Sequence, residues 1–252
     1  MRCTLILTLL ALLATGCAGA PRSEVIVLGM IHGSHRQSEL YGIQQIQQIV
    51  RRVDPDFILC EIPPDRIEAA LTEYRSTGEI AESRVVRFPE YVEAIIPLEG
   101  ELSFELVPCA AWTQEMATYR REKLATLKTT RSRDYAEMSA AQERADEQIR
   151  AGGQSDDPRW IHTDLYDGYV REGMEPYNRH FNDDLGLGGW DNINAAHFAL
   201  IEKALEAHRG EGKRFLVTFG SWHKYWFLEQ LRARADVRLL EVGSFLDDPP
   251  AP

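Results

Sequence analysis

The sequence predicts an α/β protein with a mainly parallel sheet, flanking helices and an inserted helical cap. Three observations support this fold class. Short apolar runs typical of strands alternate with helical patterns at both ends of the chain. A helix separates the first two of these runs, and a strand–helix–strand order places the two strands parallel. The middle of the chain is long, charge-dense and rich in Ala and Glu, which is typical of a solvated helical insertion.

The first half of the predicted sheet begins with an apolar strand over residues 25–29. A helix over 39–53 follows, in which Leu and Ile recur at helical spacing. The stretch DFILCE at 56–61 predicts the second strand. A helix over about 65–75 and a strand over 103–109 come next. The first three elements form a βαβ unit, a frame whose strands present their carboxyl ends to one edge of the sheet.

The rest of the chain predicts the cap and the second half of the sheet. The expected organisation is a single α/β domain over 18–252, with a helical insertion over about 111–190. Within the insertion, a Gly-containing linker at 152–158 separates a helical region from an aromatic-rich segment. The elements predicted after it are a helix over 191–208, a strand over 214–219, a helix over 224–234 and a strand over 237–242.

Residues 1–17 are predicted to be a lipoprotein signal peptide and not part of the fold. A basic residue precedes an unbroken apolar run, and Ala-Thr-Gly-Cys at 14–17 resembles the lipobox at which bacterial lipoprotein signals are cleaved. Cys17 would then carry the lipid chains that anchor the protein to a membrane. Because Ala18 follows, the expected location is the cell envelope, at the outer membrane facing the periplasm. The alternative is an ordinary signal cleaved near Ala18 or Ala20.

Net charge bears on the partners of the protein, and cysteine content bears on its disulfides. The formal net charge is −11, and removal of the signal with its arginine makes it −12. A chain this acidic repels polyphosphate, so no nucleic-acid partner is expected. The fold itself contains Cys60 and Cys109, both in apolar strand-like runs. They are predicted to be buried free thiols, with a disulfide as the alternative that an exported compartment permits.

Two of the predicted strands end in the same way. GMIH at 29–32 follows the first strand, and GSWH at 220–223 follows the strand near the C-terminus. Because the carboxyl ends of parallel strands share one edge, His32, Glu61 and His223 are expected to meet there. Two imidazoles and a carboxylate are a familiar ligand set for a divalent transition metal with an open position for water. Such a metal lowers the pKa of its water and polarises a carbonyl group.

Each of these residues also has a structural explanation. A histidine at a strand end often makes only structural hydrogen bonds, and Glu61 could cap the helix predicted to follow it. His35 is either an auxiliary ligand or solvated, and we favour solvation. The aromatic residues of 160–190 either pack the cap onto the sheet edge or line a cleft over the site. The sequence has no Gly-x-Ser-x-Gly elbow and no phosphate loop.

The order of these motifs resembles that of the Tiki/TraB/ChaN/erythromycin-esterase superfamily. Its pattern is a Gly-x-x-His after the first strand, a glutamate ending the second strand and a late Gly-x-x-His. The matching positions here are His32, Glu61 and His223. The superfamily also has an Arg-Asn pair that opens a helix. Asn192 matches the asparagine, whereas Asp191 stands where the arginine is expected.

The resemblance implies a metal-dependent hydrolase of peptidase or esterase type. Its substrate would be a peptide or a small-molecule ester or amide. Glu61 and Asn192 would be the catalytic residues, and Asn192 or Trp222 would help to position the substrate. The ChaN branch implies an alternative, a haem-binding lipoprotein in iron uptake. A non-catalytic scaffold of the same fold is the third alternative, because Asp191 replaces the expected arginine.

Overall fold

The computed structural model describes residues 20–246. Its strands are β1 (Ser23–Met30), β2 (Phe57–Cys60), β3 (Glu105–Pro108), β4 (Arg214–Gly220) and β5 (Val237–Leu239). They form one sheet in the order β3-β2-β4-β1-β5, and every pairing is parallel. The predicted α/β fold with a mainly parallel sheet is therefore confirmed. The predicted signal peptide and Cys17 lie outside the described residues.

Helices surround this sheet. The α-helices are α1 (Ile43–Val53), α2 (Ile67–Thr77), α3 (Gln114–Thr130), α4 (Ser132–Gly152), α5 (Pro158–Ile161), α6 (Asp164–Phe181), α7 (Trp190–Ala207) and α8 (Lys224–Arg232). Short 3-10 turns cover His32–Arg36, Ile96–Gly100, Gly186–Gly188 and Val242–Phe245, and a π-helical turn covers Glu90–Ile95. None of the helices within residues 20–246 is long and apolar enough to cross a membrane.

Helix α1 illustrates how local sequence sets the bounds of an element. Its apolar positions, such as Ile46 and Val50, share one face and are buried. The helix ends at Asp54, which takes a left-handed conformation (φ 45°) directly before a proline. It begins at Ile43 and not at residue 39 as predicted, because residues 39–42 form a bend.

The core lies on both faces of the sheet. Along β1, Ile26 and Leu28 join the cluster that contains the buried face of α1, whereas Val25 and Val27 join the cluster built by α7 and α8. All four side chains are 3 % exposed or less. Burial on both faces explains why the strand reads as a continuous apolar run and not as an alternating one.

The helical insertion is more tightly built than its composition suggests. The predicted continuous helical region breaks at Arg131 (φ −129°, ψ 50°), which separates α3 from α4. The predicted linker is a packed turn, because a Cβ atom added at Gly152 would lie 2.4 Å from the ring of Trp160. Helix α4 packs closely on α6, where a Cβ at Gly173 would lie 2.6 Å from that of Ala145. Close backbone approach therefore joins the parts of the insertion.

Both cysteines of the fold lie in its core. Cys60 ends β2 and Cys109 follows β3, and both are free and fully buried. Burial raises the pKa of the Cys60 thiol to about 12 and raises that of Cys109 as well. Thiols held in the neutral form are poor nucleophiles. Neither cysteine is therefore a candidate for catalysis.

Candidate functional site

The strand order brings the three predicted ligands to one edge of the sheet. β4 lies between β1 and β2, so His32, His223 and Glu61 follow three adjacent strands. Nε2 of His32 lies 3.7 Å from Oε2 of Glu61, and Nε2 of His223 lies 4.0 Å from Oε1 of the same carboxylate. Side chains that are up to 191 residues apart in the chain thus converge as the parallel topology predicts.

His32 is fixed by its backbone and by a buried carboxylate. It takes a left-handed conformation (φ 50°), which is uncommon for a residue other than glycine and re-aims its side chain after β1. Nδ1 of His32 lies 2.6 Å from Oε1 of Glu90, which is fully buried in the π-helical turn. Such turns are frequent at functional sites. Sequence reasoning missed Glu90, which follows a stretch without clear periodicity.

His223 is held by an amide and an indole. Its Nδ1 lies 2.6 Å from Oδ1 of Asn194, whose own amide nitrogen donates to the carbonyl of Trp190. The ring of Trp190 stacks on the imidazole, with 4.6 Å between ring centroids. Because Asn194 presents an acceptor, Nδ1 of His223 is the donor, which leaves the lone pair of Nε2 facing Glu61.

Glu61 is anchored between the strands. Its Oε2 accepts a 2.7 Å hydrogen bond from the backbone N–H of Gly220, and its own N–H donates to the hydroxyl of Tyr91. That hydroxyl donates in turn to the carbonyl of Thr218. Position 220 favours glycine, because a Cβ there would lie 2.6 Å from Nε2 of His32 and would displace that imidazole. The glycine that begins GSWH therefore makes room for His32 of the motif GMIH.

The two histidines have opposite electrostatic environments. Burial opposes the charging of His32, but the hydrogen bond to Glu90 and the charges of Glu61 and Glu90 outweigh it and raise the pKa of His32 to about 9. For His223 burial dominates and lowers the pKa to about 3, with only partial compensation from Glu61. At neutral pH, His32 is therefore protonated and His223 is neutral.

The donor set suits a divalent transition metal in its chemistry. Both imidazoles bind an oxygen through Nδ1, as metal-ligating histidines do, and direct Nε2 to a carboxylate. The nitrogen–oxygen separations of 3.7 and 4.0 Å exceed the roughly 3.4 Å expected between ligands around tetrahedral zinc. In residues 20–246 as they stand, no group of three or more His, Cys, Asp or Glu side chains is placed to hold a metal ion. Metal binding would therefore require these donors to move closer together.

Two clefts open beside the donors. A cleft of about 330 Å³ lies over the two histidines, and its walls are mostly apolar. Its lining residues are Met30, Ile31, His32, Trp190, Gly220, Ser221, Trp222 and His223. A second cleft, of about 110 Å³, adjoins Glu61 and is lined by Pro63, Arg84, Arg87, Phe88, Ala110 and Trp112. Trp222 lines the larger of the two clefts.

The structure does not bring the predicted catalytic residue Asn192 to the histidines. Its side-chain amide donates to the carbonyls of Asn182 and Gly186, so it fixes the turn before α7. The residue that contacts His223 is Asn194. Two positions along a helix differ by about 200° around its axis, so Asn192 and Asn194 face different sides. Of these two asparagines, only Asn194 forms a hydrogen bond with His223 among the described residues.

His35 also differs from the prediction that it is solvated. Its side chain is buried, and the residue is 1 % exposed. Nε2 accepts a hydrogen bond from the N–H of Ile31, and Nδ1 donates to the carbonyl of Tyr41 at 2.6 Å. With both ring nitrogens engaged by the backbone, His35 holds the turn that carries His32.

The aromatic segment of the insertion is largely structural. Tyr166 and Tyr177 are 3 % and 2 % exposed, and Trp160 packs against the turn after α4. The hydroxyls of Tyr166 and Ser221 lie 2.9 Å apart, which joins α6 to the second histidine motif. Trp190, the last residue of this segment, lines the larger cleft together with Trp222.

No protein-family model matches the sequence, and no curated protein or solved structure is significantly similar to it.

Proposed function

We propose that this chain is a distant Tiki/TraB-type hydrolase that binds a divalent transition metal through His32, Glu61 and His223. Its substrate would be a peptide or a small-molecule ester or amide. The observation that carries the proposal is the direction of the two imidazoles. Each is held through Nδ1 by a buried oxygen, so both direct Nε2 to the carboxylate of Glu61.

This arrangement requires a positive charge between the donors. Two imidazole lone pairs and a carboxylate are all acceptors, and buried acceptors that face one another without a donor are unstable. In the ion-free protein the proton on His32 supplies that charge. A divalent ion would take its place and release the proton, as metal binding to histidine generally does.

The chain's own residues supply the remaining parts of a hydrolytic site. A divalent metal, when bound, supplies Lewis acidity and a water molecule of lowered pKa. Within residues 20–246, only Oε2 of Glu61 accepts a hydrogen bond, so Oε1 is available to accept a proton from water. Trp190 and Trp222 shield the larger cleft and offer apolar contact to a substrate side chain.

Metal content and hydrolysis test the proposal together. The full-length chain, solubilised in detergent, is dialysed against Zn²⁺, Mn²⁺ or Co²⁺ and analysed for bound metal. It is then assayed against a panel of peptides, amides and esters. We expect near-stoichiometric metal and hydrolysis that are both lost in His32→Ala and His223→Ala. His208→Ala, at the end of α7 and outside the site, is the matched control and should retain both. Full metal content and activity in both site variants would refute the proposal.

The second candidate function is haem binding. The observation that favours it is the apolar cleft over a partly exposed histidine, since the side chain of His32 is 36 % exposed between aromatic walls. Haem titration followed by absorption spectroscopy distinguishes the two functions. A Soret band that is lost in His32→Ala would favour iron handling. Absence of both haem and metal from a folded protein would favour the non-catalytic scaffold.

A further inference from the structure

We propose that the substrate carries an anionic group, a carboxylate or a phosphate, close to its scissile bond, and that Arg84 and Arg87 bind this group. The inference rests on the proposed function, whose substrate class it narrows. It starts from the smaller cleft, which contains both arginines and Glu61. A molecule in this cleft is therefore adjacent to the carboxylate shared by the two histidines.

The two guanidinium groups are available for a ligand. Among residues 20–246, neither Arg84 nor Arg87 forms an ion pair, although acidic residues outnumber basic ones by 39 to 28 in the chain. Nearby Arg66, in contrast, is paired with Asp65 at 3.0 Å and lies 3.5 Å from Glu82. Two unpaired cations in an acidic protein create a local region of positive potential that attracts anions.

The loop that carries the arginines is held in shape by its own carboxylate. Oε2 of Glu82 accepts hydrogen bonds from the backbone N–H groups of Arg84 and Val85, at 2.8 and 2.9 Å. The carboxylate of Glu82 therefore fixes the turn and does not neutralise the guanidinium group of Arg84 or Arg87. Because the backbone is preorganised, less entropy is lost when an anion binds there.

The same loop is continuous with the proposed metal site. Phe88 follows it directly, and its ring packs edge-on against the imidazole of His32 with 5.1 Å between centroids. Two residues later, Glu90 holds Nδ1 of that imidazole. One short segment thus carries Arg87, Phe88 and Glu90. The position of the Arg87 guanidinium is therefore linked to that of His32. Trp112, which also lines this cleft, is aromatic and suits the flat part of a substrate.

Guanidinium groups discriminate strongly between an anion and its neutral analogue. A planar guanidinium donates paired hydrogen bonds to a carboxylate or phosphate and makes no comparable contact with a carboxamide. We therefore expect the native protein to prefer an acidic substrate by about 100-fold in kcat/KM, with about 10-fold lost for each arginine removed. The preference should fall at high salt, because the clefts are open to water.

The decisive experiment compares matched substrates on the full-length, metal-loaded protein. One substrate ends in a free carboxylate next to the scissile amide, a second carries a phosphate there, and a third carries a carboxamide. The variants are Arg84→Gln, Arg87→Gln and the double substitution. Arg121→Gln, an exposed residue of α3, is the matched control. Expected is a preference for one or both anionic substrates that disappears in the double variant alone, with metal content unchanged. Which anionic substrate is preferred distinguishes carboxylate from phosphate.

Measurements of anion binding distinguish a failure of this inference from a failure of the proposed function. Titration calorimetry with acetate, inorganic phosphate and acetamide is carried out on the native protein and the double variant. If no substrate is hydrolysed but an anion binds only the native protein, the anion site stands and the hydrolase proposal fails. Equal hydrolysis of charged and neutral substrates, or equal anion binding by native protein and double variant, would overturn the inference.

Discussion

Nδ1 of His32 lies 2.6 Å from Oε1 of Glu90, a fully buried carboxylate that is 58 residues further along the chain. The second oxygen of this carboxylate has no hydrogen-bond partner in the described part of the chain. A buried acid is costly unless it is paired, so Glu90 depends on His32 for its stability as much as His32 depends on Glu90 for its orientation.

Removing the charge of Glu90 should therefore weaken metal binding without abolishing the fold. In Glu90→Gln we expect a 10- to 100-fold loss of metal affinity, because loss of an outer-shell carboxylate typically has this effect. Competition with a chromophoric chelator measures the change. Glu93→Gln is the control, since Glu93 lies in the same π-helical turn and pairs with exposed Arg36. Native affinity in Glu90→Gln would mean that this pair is only structural.

The space at position 220 offers a test of geometry alone. In Gly220→Ala the added Cβ would lie 2.6 Å from Nε2 of His32, which must then move although Glu90 holds its other nitrogen. We expect loss of most bound metal, together with a loss of about 1–3 kcal/mol in the free energy of unfolding, as for other overpacked sites. Gly33→Ala adds the same methyl group where no atom lies within 4 Å, and should change stability by less than about 0.5 kcal/mol. Equal metal content in the two variants would contradict this picture of His32.

A buried ion pair ties the insertion to the site. Both carboxylate oxygens of Asp167 on α6 lie 2.6 Å from Nζ of Lys224, the residue after His223. Asp167→Ala leaves the ammonium group buried and unpaired, so we expect it to lower the free energy of unfolding by about 3–5 kcal/mol. The double variant Asp167→Ala/Lys224→Met should recover part of this loss in urea denaturation. Additive effects of the two substitutions would show that the pair is not coupled.

Acid should destabilise the protein well above the range in which carboxylates titrate. Burial lowers the pKa of His162, His197 and His223 to about 3, from an ordinary value of 6.5 in the unfolded chain. Between these pH values the unfolded state binds protons that the native state does not. Stability should therefore fall as pH falls, by about 1.4 kcal/mol per pH unit for each histidine. His32 adds nothing in this window, because its pKa of about 9 leaves it protonated in both states.

Urea denaturation between pH 7 and pH 5 measures this slope. In His162→Gln the slope should decrease by about 1.4 kcal/mol per pH unit. Glutamine retains groups that can bond the N–H of Gly29 and the carbonyl of Pro158, the two partners of the native imidazole. An unchanged slope would mean that His162 takes up its proton without unfolding.

The sequence alone predicts the convergence of His32, Glu61 and His223 because the argument needs only local patterns and one rule. Apolar runs identify the strands, and parallel strands present their carboxyl ends at one edge. The prediction does not require the complete strand order, only that these three strands are neighbours. It holds in any parallel arrangement that keeps the three strands adjacent, which is the case here.

The supporting residues could not be predicted in this way. Glu90 lies in a π-helical turn, whose i→i+5 hydrogen bonds give a side-chain pattern that matches neither an α-helix nor a strand. To predict that Asn194 faces His223, one must know the rotation of α7 about its axis. Only the packing of α7 against the sheet sets that rotation. The left-handed conformation of His32 is stabilised by contacts distant in sequence, and no local motif announces it. The sequence thus predicts which residues meet at the site, whereas the tertiary structure determines which residues hold them in place.

The central place of β4 has a consequence for synthesis of the chain. β1 and β2 have no hydrogen bonds to each other, because both pair with β4, which begins at Arg214. A nascent chain that has emerged only as far as the insertion therefore holds β1 apart from the β2–β3 pair, with exposed strand edges, until its last portion supplies β4. His32 and Glu61 can meet only when translation is nearly complete. A prematurely terminated product would lack the site altogether, and its unpaired strands would mark it for degradation.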